Sequence, residues 1–131
     1  MRFVDAAECA AFGLSPKAAL RTSLRTSVEA VTAFVDGRPE AMFGVVPISA
    51  LEGRGSVWFL GTDAVARCAS TLILVGPDAI AALHRRFRRL ENTVSTDNVR
   101  AIRMLRRWGF EMGSTEVNVG GVSFRPFWKV G

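Results

Sequence analysis

The sequence contains no tyrosine, one histidine and two cysteines in 131 residues, and each scarcity removes a chemistry. Without tyrosine, no phenol is available as a proton donor. His84 stands alone, with no Asp, Glu or Cys pattern beside it, which gives neither a metal site nor a nucleophile and base pair. It is expected at the surface or at a boundary, without a chemical role. Cys9 and Cys68 lie far apart in alanine-rich surroundings with no Cys-x-x-Cys spacing, so neither zinc nor a redox pair is indicated and two buried free thiols are expected. No apolar run approaches the ~18 residues that a membrane span needs. The opening residues MRFVDAAECAAFGL carry an acidic side chain where a secretory signal would be apolar. These features are expected of a soluble protein in a reducing compartment. No internal repeat, low-complexity tract or linker is visible.

What the chain does contain is apolar material, 49% of its residues, enough for one domain over residues 1–131 with a core of its own. Seventeen Lys and Arg against twelve Asp and Glu leave a net charge of +5, which favours an anionic ligand or surface. Much of that charge is expected on two basic helices, one with Arg85, Arg86, Arg88 and Arg89 and the other with Arg100, Arg103, Arg106 and Arg107.

Local patterns divide the chain into alternating elements. Ser15 before Pro16 is a helix start, and a helix is expected from Pro16 to Thr26. Val28 to Val35 and Ala41 to Ile48 are rich in β-branched and aromatic residues around Asp36-Gly37-Arg38-Pro39, the pattern of an antiparallel hairpin. A polar loop through Glu52-Gly53-Arg54-Gly55 then leads to the apolar run Ser56 to Leu60, a buried central strand that stops at Gly61. Thr62-Asp63 offers a cap, and a helix is expected from Asp63 to Val75. Gly76-Pro77-Asp78 is expected to break the chain and restart a second amphipathic helix, in which Ile80, Leu83, Phe87 and Leu90 recur at helical spacing. A short strand from Glu91 to Ser95 and a hairpin in Val117 to Val130, turning at Gly120-Gly121, complete the series around one more helix.

That helix, Asn98 to Phe110, reads NVRAIRMLRRWGF. At about 100° per residue, Ala101, Met104, Leu105 and Trp108 share one side with Ile102 at its edge, while the four arginines take the other. Asp97 or Asn98 can cap its first turn, and Gly109 supplies a left-handed stop before Phe110. The spacing Asn-x-x-Ala-x-x-x-Leu-x-x-x-Gly-Phe resembles the closing helix of the GNAT superfamily of acyl-CoA-dependent N-acyltransferases. The order of elements is similar to that fold over nearly the whole chain, an α/β (α+β) domain with a mixed, mainly antiparallel sheet flanked by helices.

The resemblance implies acetyl-CoA or CoA as cofactor and an amine as acceptor. It places the pyrophosphate at the turn after the central strand, Leu60, Gly61, Thr62, Asp63, Ala64 and Val65, where free amides and a helix dipole attract anions. It places Asn98 beside the pantetheine or at the junction of strand and helix, where a plain cap is the alternative. Where many members carry a tyrosine that protonates the departing thiolate, this chain has Leu105, which has no proton to give. The acid would then be Cys68, Ser70, Thr62 or water, and spacing singles out none of them. The base that takes a proton from the amine is sought among Glu29, Glu40 and Glu52, on or beside the strands flanking the cleft.

Trp58-Phe59-Leu60-Gly61-Thr62-Asp63, Asn98 to Phe110 and Phe124-Arg125-Pro126-Phe127 also look like the small GNAT-like proteins of short-tailed phages, some classed as internal virion proteins. That resemblance implies a rival reading, a non-enzymatic protein whose scaffold outlives its chemistry and whose partner is a virion or other protein. The setting would then be the host cytoplasm or the virion itself. Nucleic-acid binding through the arginines is a third reading. Against it, Phe87 and Trp108 fall on the apolar sides and so are not offered to bases.

Overall fold

The computed structural model describes residues 29–35, 38–61 and 69–131. The expected helix Pro16 to Thr26, both cysteines, and Thr62, Asp63, Ala64 and Val65 lie outside the described residues. The strands are β1 (Glu29–Val35), β2 (Arg38–Ser49), β3 (Arg54–Gly61), β4 (Arg89–Ser95), β5 (Glu111–Met112), β6 (Val117–Val119) and β7 (Val122–Val130). The helices are α1 (Ala69–His84), between β3 and β4, and α2 (Val99–Arg107), between β4 and β5. No helix among the described residues is long and apolar enough to cross a membrane.

The strands form one sheet in the order β1-β2-β3-β4-β7-β5, with β6 also on β7. The expected hairpin is present as an antiparallel pair, Val31 opposite Phe43 and Thr32 opposite Met42. Among the described strands only β3 and β4 run parallel, because a parallel pair needs a crossover and α1 supplies it. The mixed, mainly antiparallel sheet flanked by helices agrees with the expectation from sequence. The closing hairpin turns at Gly120 and Gly121, with φ of 59° and 83°. Both central residues of such a turn lie in the left-handed region, which glycine enters without strain.

The core lies between the sheet and the two helices. Val45, Ile80, Leu83, Phe87, Leu90, Val94, Phe110 and Phe127 are buried together. Phe110 meets Phe127 edge to face at 5.3 Å between ring centres, a favoured aromatic geometry. From α2, Ala101, Ile102, Leu105 and Trp108 pack against this cluster while Arg100, Arg103, Arg106 and Arg107 are exposed, as the wheel predicts.

Two expectations are corrected. Gly76-Pro77-Asp78 does not break the chain, since α1 runs through it as one helix with Pro77 inside. Pro77 does forfeit a helix bond. Gly76, however, is where the indole of Trp108 lies on the helix, and a Cβ there would stand 2.2 Å from Trp108 Cε2. The glycine permits an approach and does not mark an end. The second amphipathic helix also stops earlier, at His84, where Phe87 N–H still donates to the Leu83 carbonyl before the chain turns into β4. Phe87 and Leu90 share a core with Ile80 and Leu83, so their burial mimics a helical period across a change of direction. Consequently Arg85, Arg86 and Arg88 stand in a turn and Arg89 in a strand, not on a basic helix.

Candidate functional site

β3 and β4 begin as neighbours and then part. Their register pairs Arg54 with Arg89, Gly55 with Leu90 and Ser56 with Glu91, and ends there, although β3 continues to Gly61 and β4 to Ser95. Each strand keeps its outer partner along the whole stretch. Leu60 stays opposite Met42 on β2, and Ser95 stays opposite Phe124 on β7. The sheet therefore forks between residues 57–61 and 92–95, with the open end at the carboxyl ends of both strands. At the root of the fork, Asn92 Nδ2 donates to the Val57 carbonyl at 2.6 Å.

The closed half is held by charge. Arg54 Nε donates to Glu91 Oε1 at 3.1 Å, and Arg54 Nη2 bridges the same oxygen. Arg89 Nε donates to Glu91 Oε2 at 2.5 Å, and its guanidinium lies 5.3 Å from the ring centre of Trp128, within cation–π range. The Glu91 side chain is only 16% exposed. Its hydrogen bond to Arg54, and then that to Arg89, hold the carboxyl below the usual glutamate range, against the opposing effect of burial. A carboxylate so held is a weak base. Glu52 adds an outer bond to Arg54 at 3.0 Å but is largely exposed, so it contributes little. Ser56, Thr93, Pro126 and Trp128 line a cavity of about 350 Å³ with Arg54 and Arg89 at this seam. Sequence reasoning passed over Arg54, Glu91 and Asn92 as site residues and read Arg89 only as part of an arginine cluster. Their only local sign is polarity within a strand.

Of the residues expected to hold a cofactor, Leu60 and Gly61 end β3. Asn98 is 5% exposed and caps α2, its Oδ1 accepting from Ala101 N–H at 3.3 Å. Its own N–H donates to the Ser95 carbonyl, tying the cap to the end of β4. Because β3 and β4 run parallel, Leu60, Gly61 and Asn98 fall at the same end of the sheet, beside the open fork. Thr62, Asp63, Ala64 and Val65 are outside the described residues.

The candidate acids and bases are more scattered. Thr62 and Cys68 are outside the described residues, and Ser70 stands in the first turn of α1. Leu105 packs against the core cluster. Glu29 begins β1 and Glu40 lies on β2, while Glu52 sits in the loop before β3, at the closed end of the seam. His84 ends α1, where its Nδ1 donates to the Phe87 carbonyl at 3.0 Å. Gly131 packs against its ring, where a Cβ would lie 2.4 Å from Cγ. That places His84 by the start of β4, since Gly131 N–H donates to the Arg88 carbonyl. The fork opens at the other end of that strand.

No protein-family model and no curated protein matches the sequence. Solved structures do match the fold. A ribosomal-protein-alanine N-acetyltransferase from Brucella melitensis is similar at 17% identity and a TM-score of 0.66, over 85% of this chain and 74% of that one. An acetyltransferase of the GNAT family from Streptococcus pneumoniae is similar at 16% identity and a TM-score of 0.66, over 87% and 76%. A Bacillus subtilis acetyltransferase in complex with CoA is similar at 11% identity and a TM-score of 0.66, over 88% and 84%. The fold is that of the GNAT acetyltransferases.

Proposed function

We propose that this chain, as a single domain, binds acyl-coenzyme A and passes the acyl group to an amine. The observation that carries the proposal is the fork between β3 and β4, which opens toward the end of the sheet where Leu60, Gly61 and Asn98 lie. Pantetheine is an extended chain with two amide groups, and a gap between two strands, each still paired on its outer side, suits such a chain. The pyrophosphate then falls at Gly61, Thr62, Asp63, Ala64 and Val65, and Asn98 stands beside the pantetheine. The neighbour solved in complex with CoA supports the choice of ligand. When bound, the thioester supplies an activated acyl group. The chain's own part is to hold that ligand in the fork and to leave room for an amine beside it.

Transfer on this scaffold relies on an acid other than tyrosine, because Leu105, partly buried against the core, stands where the resemblance calls for the phenol. Glu91 is a poor base, being held charged by Arg54 and Arg89. The same two facts favour a second reading, in which the fold binds a ligand or partner without turnover, as an internal virion protein of a phage or another assembly component. Leu74 and Val75, 77% and 51% exposed on α1, provide an apolar surface for it. The exposed arginines of α2 support the third reading, nucleic-acid binding. The host cytoplasm or the virion is the corresponding location.

Calorimetric titration with acetyl-CoA and CoA tests the proposal, with saturable binding of both expected. Absence of binding at millimolar ligand overturns it. Release of free CoA thiol in the presence of an amine separates transfer from binding alone. Association with nucleic acid that weakens steeply between two salt concentrations would support the third reading instead.

A further inference from the structure

One side chain, that of Asn92, stands where the fork begins. In a parallel ladder the amides of one strand donate to alternate carbonyls of the other. Arg89 N–H donates to the Gly53 carbonyl at 2.9 Å, which fixes the phase. With the register of β3 and β4, the next donors in line are Glu91 N–H to Gly55 and then Thr93 N–H to Val57. At that second rung the strands are no longer paired. Instead Asn92 Nδ2 donates to the Val57 carbonyl at 2.6 Å, and Asn92 Oδ1 accepts from Thr93 N–H at 2.8 Å. One carboxamide thus meets both backbone groups that the rung would have joined.

We propose that Asn92 is a positioning residue whose carboxamide is inserted into the Thr93–Val57 rung and thereby sets where the β3–β4 fork begins. A carboxamide carries an NH2 donor group and a carbonyl acceptor side by side, so it can stand between an amide and a carbonyl without leaving either unsatisfied. Its insertion holds the two strands apart by the width of a planar group. Without it, Thr93 N–H and the Val57 carbonyl are left facing each other, and the ladder gains a rung at the expense of the slot. The consequence for ligand rests on the acyl-CoA reading above, whereas the strand geometry does not.

NMR scalar couplings across hydrogen bonds test both parts. In the unaltered chain a coupling from Asn92 Nδ2 to the Val57 carbonyl carbon is expected, with none from the Thr93 amide nitrogen to that carbon. A Thr93 to Val57 coupling there overturns the proposal, and this measurement needs no variant to fold. In Asn92→Ala the Thr93 to Val57 coupling is expected to appear, and CoA affinity to fall by about tenfold, since the extra rung must open before ligand enters. Asn92→Asp still accepts from Thr93 N–H but offers the Val57 carbonyl no donor, so the rung stays broken and CoA affinity stays within about threefold of the unaltered chain. Equal loss of affinity in both variants, or none in Asn92→Ala, overturns the positioning role. Should the unaltered chain bind no CoA, the acyl-CoA reading fails while the couplings still decide what Asn92 does to the strands.

Discussion

Residues 54–56 and 57–61 of β3 face the same neighbouring strand and treat it in opposite ways. The first three are zipped to β4, floored by fully buried Leu90 and clamped on the other face by Arg54, Glu91 and Arg89. The last five lie beyond the end of that ladder, and Val57 meets β4 through the Asn92 side chain. The closed half concentrates burial and charge compensation, which stabilise. The open half forgoes ladder bonds, and on the acyl-CoA proposal that is where the ligand is held. Stability and ligand space are thus divided along one seam, with Asn92 at the boundary.

The comparison is broken most severely from below. Leu90 has no exposure at all, and Leu90→Ala should cost about 2–5 kcal/mol through lost burial and a cavity, read as a lower midpoint in denaturant unfolding. Gly55 comes next. A Cβ there would stand 2.6 Å from Val45 Cγ2 and 2.9 Å from Phe87 Cγ. Gly55→Ala should therefore cost about 1–3 kcal/mol by overpacking, seen in thermal unfolding. An unchanged midpoint would mean that the closed half is looser than described.

Glu91→Gln should cost about 1 kcal/mol at neutral pH, since two arginines lose a charged acceptor. The carboxyl is held below its usual range, so its contribution is fully present above the ordinary glutamate value of about 4.3. That contribution is lost as pH falls through the lowered folded value. Denaturant titrations at several pH values should show a flatter acid limb in Glu91→Gln. The smallest effect belongs to the open half. Thr93 is exposed, and Thr93→Val should change stability by about 0.5 kcal/mol or less. A loss as large as that of Glu91→Gln would erase the distinction between the halves.

Where signals are local, the sequence is legible. The cap at Asn98, the apolar side of α2 and the stop at Gly109 (φ 91°) are where the residue pattern puts them, because capping and periodicity act within a turn or two. The turn at Gly120-Gly121 is legible for the same reason. Gly76-Pro77 misleads because its reason is distant, the indole of Trp108 lying on the helix. Helical spacing through Phe87 and Leu90 misleads because one core buries residues from a helix, a turn and a strand alike.

By itself, then, the sequence determined the two hairpins, the mixed sheet and the cap, apolar side and stop of α2, all of which follow from backbone propensity and from patterns of apolar residues over short spans. Only the tertiary structure decided that β3 and β4 fork, that Glu91 is neutralised from both sides, and that Asn92 stands at the point of separation. Asn92 and Val57 are 35 residues apart in the chain. A hydrogen bond between them exists only after α1 has carried β4 back alongside β3, so nothing in the neighbourhood of either residue announces it.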